Sequence, residues 1–175
     1  TFLEKTGAAK SIANKVLQVV GNKNSALAMN LTGSIVSIPV FCDSGFVILS
    51  TLNNAINKKT GISLSVLGTS LAAGLYATHV FVPPTPGPLA AASIIGADVG
   101  LVLIFGLLIA IPVSIVGWLW ASYYCSRFSI NQKIDNDNLN IETKSHTNLT
   151  MSVLPIIIPI VLITLKSIIN HPAVE

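Results

Sequence analysis

The chain has 175 residues, ten of them Lys or Arg and seven Asp or Glu, and a mean hydropathy of +0.73. Only 10% of its residues are charged, against roughly 25% in soluble globular domains, which excludes an ordinary soluble fold with a solvated face. The net charge of +3 comes without interleaved aromatics and sits in short polar segments between apolar ones. That is the loop bias of membrane proteins, and no nucleic-acid partner is expected.

Residues 24–42, 60–97, 99–126 and 145–165 contain no Asp, Glu, Lys or Arg. Several of these runs reach the ~20 residues that cross a hydrocarbon core of about 30 Å. The expected fold is an all-α membrane protein, with the lipid bilayer as its first partner. Cys42 and Cys125 lie in or beside apolar stretches without metal spacing and read as small buried hydrophobes. With no initiator Met, a start inside a helix-like pattern and an end just past an apolar run, the chain is expected to be an internal or truncated part of a longer protein.

Residues 1–24 carry a helical stripe of Ala8, Ala9, Ile12, Ala13, Val16, Leu17 and Val20 opposite Lys10, Ser11, Asn14, Lys15 and Gln18. This predicts an amphipathic helix, either lying on the membrane interface or packed on protein; the interfacial placement is the expectation adopted. Residues 25–56 are apolar but interrupted around Pro39 and Gly45. Proline cannot continue a helix and glycine permits irregular backbone, so two half-span helices forming a re-entrant hairpin are expected. Irregular backbone at that depth persists only when buried in protein or lining a wet cavity.

Residues 62–97 predict a broken transmembrane helix, apolar up to Phe81 and interrupted by Pro83, Pro84, Pro86, Gly87 and Pro88. A short helix resumes and ends at Gly96. Residues 98–125 predict a transmembrane helix capped by Asp98 and kinked at Pro112. Its Gly106, Ala110 and Ser114 recur every four residues as a small-residue packing face. Residues 126–149 read as a polar cytoplasmic linker, and 150–169 as a further transmembrane helix with Lys166 snorkelling at its far end. A re-entrant 25–56 puts the basic residues on one side, as the positive-inside rule favours.

Thr85 suits an N-cap and Pro86 a first helical position. A helix starting there at membrane depth would present unsatisfied N–H groups with partial positive charge to an anion, a recurring device in transporters. The same prolines also suit a rigid extracellular loop. Asp43 is the only acid in the first apolar block and is costly there unless solvated, paired or protonated. It is a candidate for a coupling proton or, with Ser44, a helix cap. His79 is of the residue type that serves proton relays but also suits a structural role, and Thr78 beside it can hydrogen-bond a hydroxylated solute. His146 and His171 read as exposed. The triplets Asn30-Leu31-Thr32 and Asn148-Leu149-Thr150 are chance sequons. No metal site, cofactor site or catalytic arrangement is expected, so the chain reads as no enzyme.

Residues 38–49, from Ile38 through Pro39, Cys42, Asp43, Ser44 and Gly45 to Leu49, and residues 74–88, from Gly74 through Thr78 and His79 to Pro88, closely resemble the gluconate permease family of proton symporters. Residues 1–9 (TFLEKTGAA) are similar to that family too, and the likeness covers most of residues 1–123. The resemblance implies one repeat of an inverted-repeat transporter of the ion-transporter superfamily, the second repeat being absent from this chain. It implies a multi-pass protein of the bacterial inner (cytoplasmic) membrane that imports gluconate or a similar organic anion with protons. A homo-oligomer is compatible with it. The site expected from residues and resemblance together is Ser44, Gly45, Thr78, Pro84, Thr85, Pro86 and Gly87 for substrate, with Asp43 and His79 for proton coupling. Alternatives are a truncated, non-transporting fragment, a channel, or a transporter of another small hydroxy acid or D-serine.

Overall fold

A computed structural model describes residues 8–21, 24–38, 40–128 and, further on, 158, 161 and 162. Apart from 126–128 and from 158, 161 and 162, the expected linker and the following span, with His146, Lys166 and His171, lie outside the described residues. Regular structure among the described residues is helical: α1 (Ala8–Val20), α2 (Ser25–Val36), α3 (Cys42–Thr60), α4 (Leu64–Phe81), α5 (Pro86–Ile95) and α6 (Val99–Tyr123), then a 3₁₀ turn at Cys125–Arg127. Two stretches are long and apolar enough to cross a membrane, Leu64–Ile95 and Val99–Arg127, and Ser25–Val36 is a shorter apolar helix.

α4 is the centre of the fold, packed between α2 and α6 and flanked by α3. Glycine permits the close crossings. A methyl group on Gly33 would come 2.6 Å from the Leu71 carbonyl oxygen, and one on Gly74 would collide with the backbone of Asn30. On the other side of α4, Gly106 of α6 lies against the Phe81 carbonyl and Gly117 against Ala73. Gly106, Ala110 and Ser114 are all buried, so the four-residue repeat is indeed the face that α6 turns inward. Its remaining surface, including Ile104, Phe105, Leu108, Ile111 and Val116, is exposed and apolar.

These contacts fix directions. Gly45 at the start of α3 meets Leu75 and Val36, and Gly106 of α6 meets Phe81. α2 therefore runs alongside α4, while α3 and α6 run against it. Lys58 and Lys59 in the last turn of α3, the start of α4 and Arg127 collect at one end. The Ser63 hydroxyl seals it by donating to the Phe128 carbonyl at 3.2 Å.

The sequence pattern and the structure differ at two places. α2 has 12 residues and α3 has 19, or about 18 Å and 28 Å at 1.5 Å per residue, so the helices around Pro39 are unequal rather than two half-spans. The second half of α3 is polar (Asn53, Asn54, Asn57, Lys58, Lys59) and continues past the apolar stretch until Gly61 ends it in the left-handed region at φ 73°. The apolar stripe of α1 also has a protein partner: Ile12 and Ala13 are buried and Val16 and Leu17 pack on the core, while Asn14, Lys15 and Gln18 are exposed. That contact fits the packed alternative for α1.

Candidate functional site

Both predicted interruptions are present. α2 ends at Val36 and α3 begins at Cys42; α4 ends at Phe81 and α5 begins at Pro86. At 82–85 Val82 is extended, and the Pro83–Pro84 peptide bond is cis. Residues far apart in sequence then meet. The Phe41 and His79 rings pack edge to face at 5.9 Å between centroids, and a methyl on Gly45 would come within 2.9 Å of Leu75. The first turn of α3 and the last turns of α4 thus form one wall.

α3 opens without a side-chain cap: Phe41 occupies the N-cap position, and Gly45 N–H donates to its carbonyl at 2.9 Å. Among the described residues the N–H groups of Cys42, Asp43 and Ser44 have no carbonyl partner. Asp43 lies inside the first turn rather than at the cap, so its role is not that of a capping acceptor. Its carboxylate is exposed, receives the Cys42 thiol at 3.6 Å and complements the positive end of the helix. Cys42 is buried among these groups.

α5 opens differently from the expectation. Thr85 does stand at the N-cap position and Pro86 at the first helical one, but the buried Thr85 hydroxyl donates backwards to the Val82 carbonyl at 2.7 Å. Pro86 and Pro88 have no N–H to offer, and Leu89 N–H is taken by the Thr85 carbonyl at 3.3 Å. Gly87 is therefore the residue in that turn with an available N–H; it is exposed, and a methyl on it would meet nothing within 4 Å. Pro84 is half-buried in the connection. The Thr78 hydroxyl is buried and donates within its own helix, to the Gly74 and Leu75 carbonyls at 3.3 and 3.4 Å, leaving its lone pairs as acceptors. His79 has a buried Nδ1 without a hydrogen-bond partner.

The structure therefore brings Asp43, Ser44, Gly45, Thr78 and His79 to adjoining breaks, with Thr85 and Gly87 on the far side of the Val82–Thr85 connection. Sequence reasoning passes over two further residues. Tyr76 lies on α4 between Leu75, which meets Gly45, and His79, which packs on Phe41, and so stands beside Cys42 and Asp43; the signal for it was its position one turn before His79. Asn30 is 1% exposed and ties three helices together. Its amide donates to the Ser70 carbonyl at 3.0 Å and its carbonyl receives the Ser114 hydroxyl at 2.6 Å, with Ser34 3.1 Å from Ser114. A buried amide in an uncharged apolar run requires partners, and this was the legible signal for it.

The family model described as GntP family permease matches residues 1–175. The chain belongs to the GntP permease family. It is 39% identical to an uncharacterized permease of Haemophilus influenzae over 97% of this chain and 37% of that protein. It is 31% identical to a gluconate permease of Pseudomonas aeruginosa over 95% of this chain and 38% of the relative. The Gnt-II system L-idonate transporter of Escherichia coli is 37% identical over 73% of this chain and 29% of its own length. This GntP family chain thus spans little more than a third of the relatives it matches over nearly its full length. No solved structure matches it. Membership places the chain among membrane permeases rather than enzymes, consistent with its apolar helices.

Proposed function

We propose that this chain supplies half of the substrate path of a proton-coupled symporter that imports gluconate or a related sugar acid across the bacterial inner membrane. One observation carries the proposal: two helix interruptions lie side by side, joined by Phe41 and His79, with N–H groups at the start of α3 and at Gly87 that have no carbonyl partner among the described residues. Helix starts of this kind attract a carboxylate. The level of the break supports it. Phe81 sits against Gly106, seven residues into the 25-residue α6, which is about 10 Å from that helix's start at 1.5 Å per residue. A spanning α6 would hold both breaks inside the apolar slab, making α2 and the start of α3 a re-entrant hairpin and α4–α5 a broken helix.

Ser44, Gly45, Pro84, Thr85, Pro86 and Gly87 would shape the carboxylate end of the site, and Thr78 would accept from a sugar hydroxyl. Asp43 is the preferred proton carrier because its carboxylate is accessible and lies in the wall; His79 is the second candidate. The gluconate and L-idonate transporters among the relatives support a sugar acid as substrate, and the inner membrane permease YgbN supports the location. α1, packed on the core through Ile12 and Ala13, would turn its exposed Asn14, Lys15 and Gln18 to the cytoplasmic interface at the basic end of the bundle, and an inverted second repeat would complete the path. The short coverage of the relatives keeps a second reading open, a fragment that does not transport alone.

The test is radiolabelled gluconate uptake into vesicles holding the full-length permease, with and without an imposed pH gradient. Uptake should rise with inward-directed protons. The double variant Thr85→Leu/Gly87→Leu should abolish uptake while keeping its abundance in the membrane. Unchanged uptake by that variant rules the site out, and insensitivity to the proton gradient rules out the coupling.

A further inference from the structure

Tyr76 has no role in the site as drawn so far. It is 56% exposed, although its chain neighbours Leu75, Ala77 and Thr78 are buried. It stands on α4 between Leu75, which meets Gly45, and His79, which packs on Phe41, and so lies beside the first turn of α3, where Cys42 and the exposed Asp43 carboxylate stand. The rest of this face is apolar, with Phe41, Val47 and Val80 exposed. A carboxylate on a lipid-facing surface at membrane depth is heavily disfavoured, so the face that carries Asp43 and Tyr76 belongs to a wet cavity rather than to acyl chains.

A phenol suits such a wall. Its hydroxyl both donates and accepts, and its ring gives an apolar body beside a polar tip. A polyol carboxylate has the complementary pattern, a charged head followed by carbons that each bear one hydroxyl. With the head at the N–H groups of α3 and Gly87, its chain has to run along the wall, and the exposed polar side chains there are Asp43 and Tyr76.

We propose that Tyr76 is a specificity-determining residue of this site: its phenol hydroxyl, beside the Asp43 carboxylate, binds a hydroxyl on the carbon chain of a sugar acid and selects hydroxylated carboxylates over deoxygenated ones. This role rests on the substrate occupying the paired breaks. Discrimination arises because a ligand lacking the hydroxyl leaves a polar group of the wall unpaired.

The experiment compares the full-length permease with Tyr76→Phe and with Thr85→Leu/Gly87→Leu, measuring initial rates of gluconate uptake and competition by deoxygluconates. Tyr76→Phe should raise KM about 5- to 10-fold, hold Vmax within about twofold, and shrink the preference for gluconate over its deoxy analogue by the same factor as KM. An unchanged KM and preference in Tyr76→Phe, with the Thr85→Leu/Gly87→Leu variant inactive, overturns the role of Tyr76 and leaves the site standing. Normal uptake by the latter variant overturns both. Should Tyr76→Phe fail to accumulate in the membrane, the comparison moves to Tyr76→His and Tyr76→Leu. Preference kept by the histidine variant and lost by the leucine variant supports the role, and equal preference in the two overturns it.

Discussion

Gly74 sits where α4 crosses α2, and a methyl group placed on it would overlap the backbone of Asn30. Main chain cannot swing aside, so Gly74→Ala must push the two helices apart. The opposing Gly33 shows the scale: a methyl there would be 2.6 Å from the Leu71 carbonyl oxygen, and ordinary contact begins at 3.4 Å, a gap of about 0.8 Å, with a larger movement required at Gly74. Overfilling a packed crossing costs about 1–3 kcal/mol. The same movement pulls the Asn30 amide from the Ser70 carbonyl, now 3.0 Å away, and leaving such a buried pair unmade adds about 1–3 kcal/mol. The better helix propensity of alanine returns at most about 1 kcal/mol. The net expectation is a loss of about 1–5 kcal/mol in unfolding free energy. Gly68, in the same helix, is the matched control, because a methyl on it meets nothing within 4 Å; Gly68→Ala should stabilise by up to about 1 kcal/mol. Denaturant unfolding of the full-length permease in detergent measures both. Opposite signs are expected, and a Gly74→Ala protein as stable as Gly68→Ala would refute the close-crossing account of the α2–α4 pair.

Asn30→Ala should cost about 1–3 kcal/mol by leaving the Ser70 carbonyl and the Ser114 hydroxyl without this partner. Ser114→Ala should cost about 0.5–1.5 kcal/mol, and the double variant should lose less than the sum, as read from the same unfolding curves. Asp98 accepts from Leu101 N–H at 2.9 Å and caps α6. Asp98→Ala should therefore destabilise by about 1 kcal/mol and speed amide hydrogen exchange in the first turn of α6, whereas Asp98→Asn should largely preserve both.

Much of the secondary structure was legible from residues alone. Runs without charge located α2, the α4–α5 stretch and α6 because an unpaired charge in hydrocarbon is too costly to occur casually. Pro39 and the prolines from 83 to 88 marked both interruptions, since a ring without an N–H cannot donate to the helix ladder; a lone proline is a weaker sign, and Pro112 stands inside the continuous α6. Asp98 as a cap, Gly96 as a stop at φ 66° and the Gly106, Ala110, Ser114 face were likewise visible. Each of these rules acts within one or two turns of helix.

What lies beyond that range needed the tertiary structure. No local rule states that Phe41 rests on His79 or that Tyr76 stands beside Asp43. Those meetings follow from α3 running against α4, where Gly45 lets the first turn of α3 come up to Leu75. Thr85 illustrates the difference at a single residue. Its type fixed its place at the head of α5, but where the backbone turned at Val82 decided that its hydroxyl points back to that carbonyl at 2.7 Å and leaves Gly87 to offer the free N–H. Composition and periodicity set which segments are apolar and where they break. The crossing of helices, a collective outcome of side-chain volumes across the whole bundle, set which breaks share a wall.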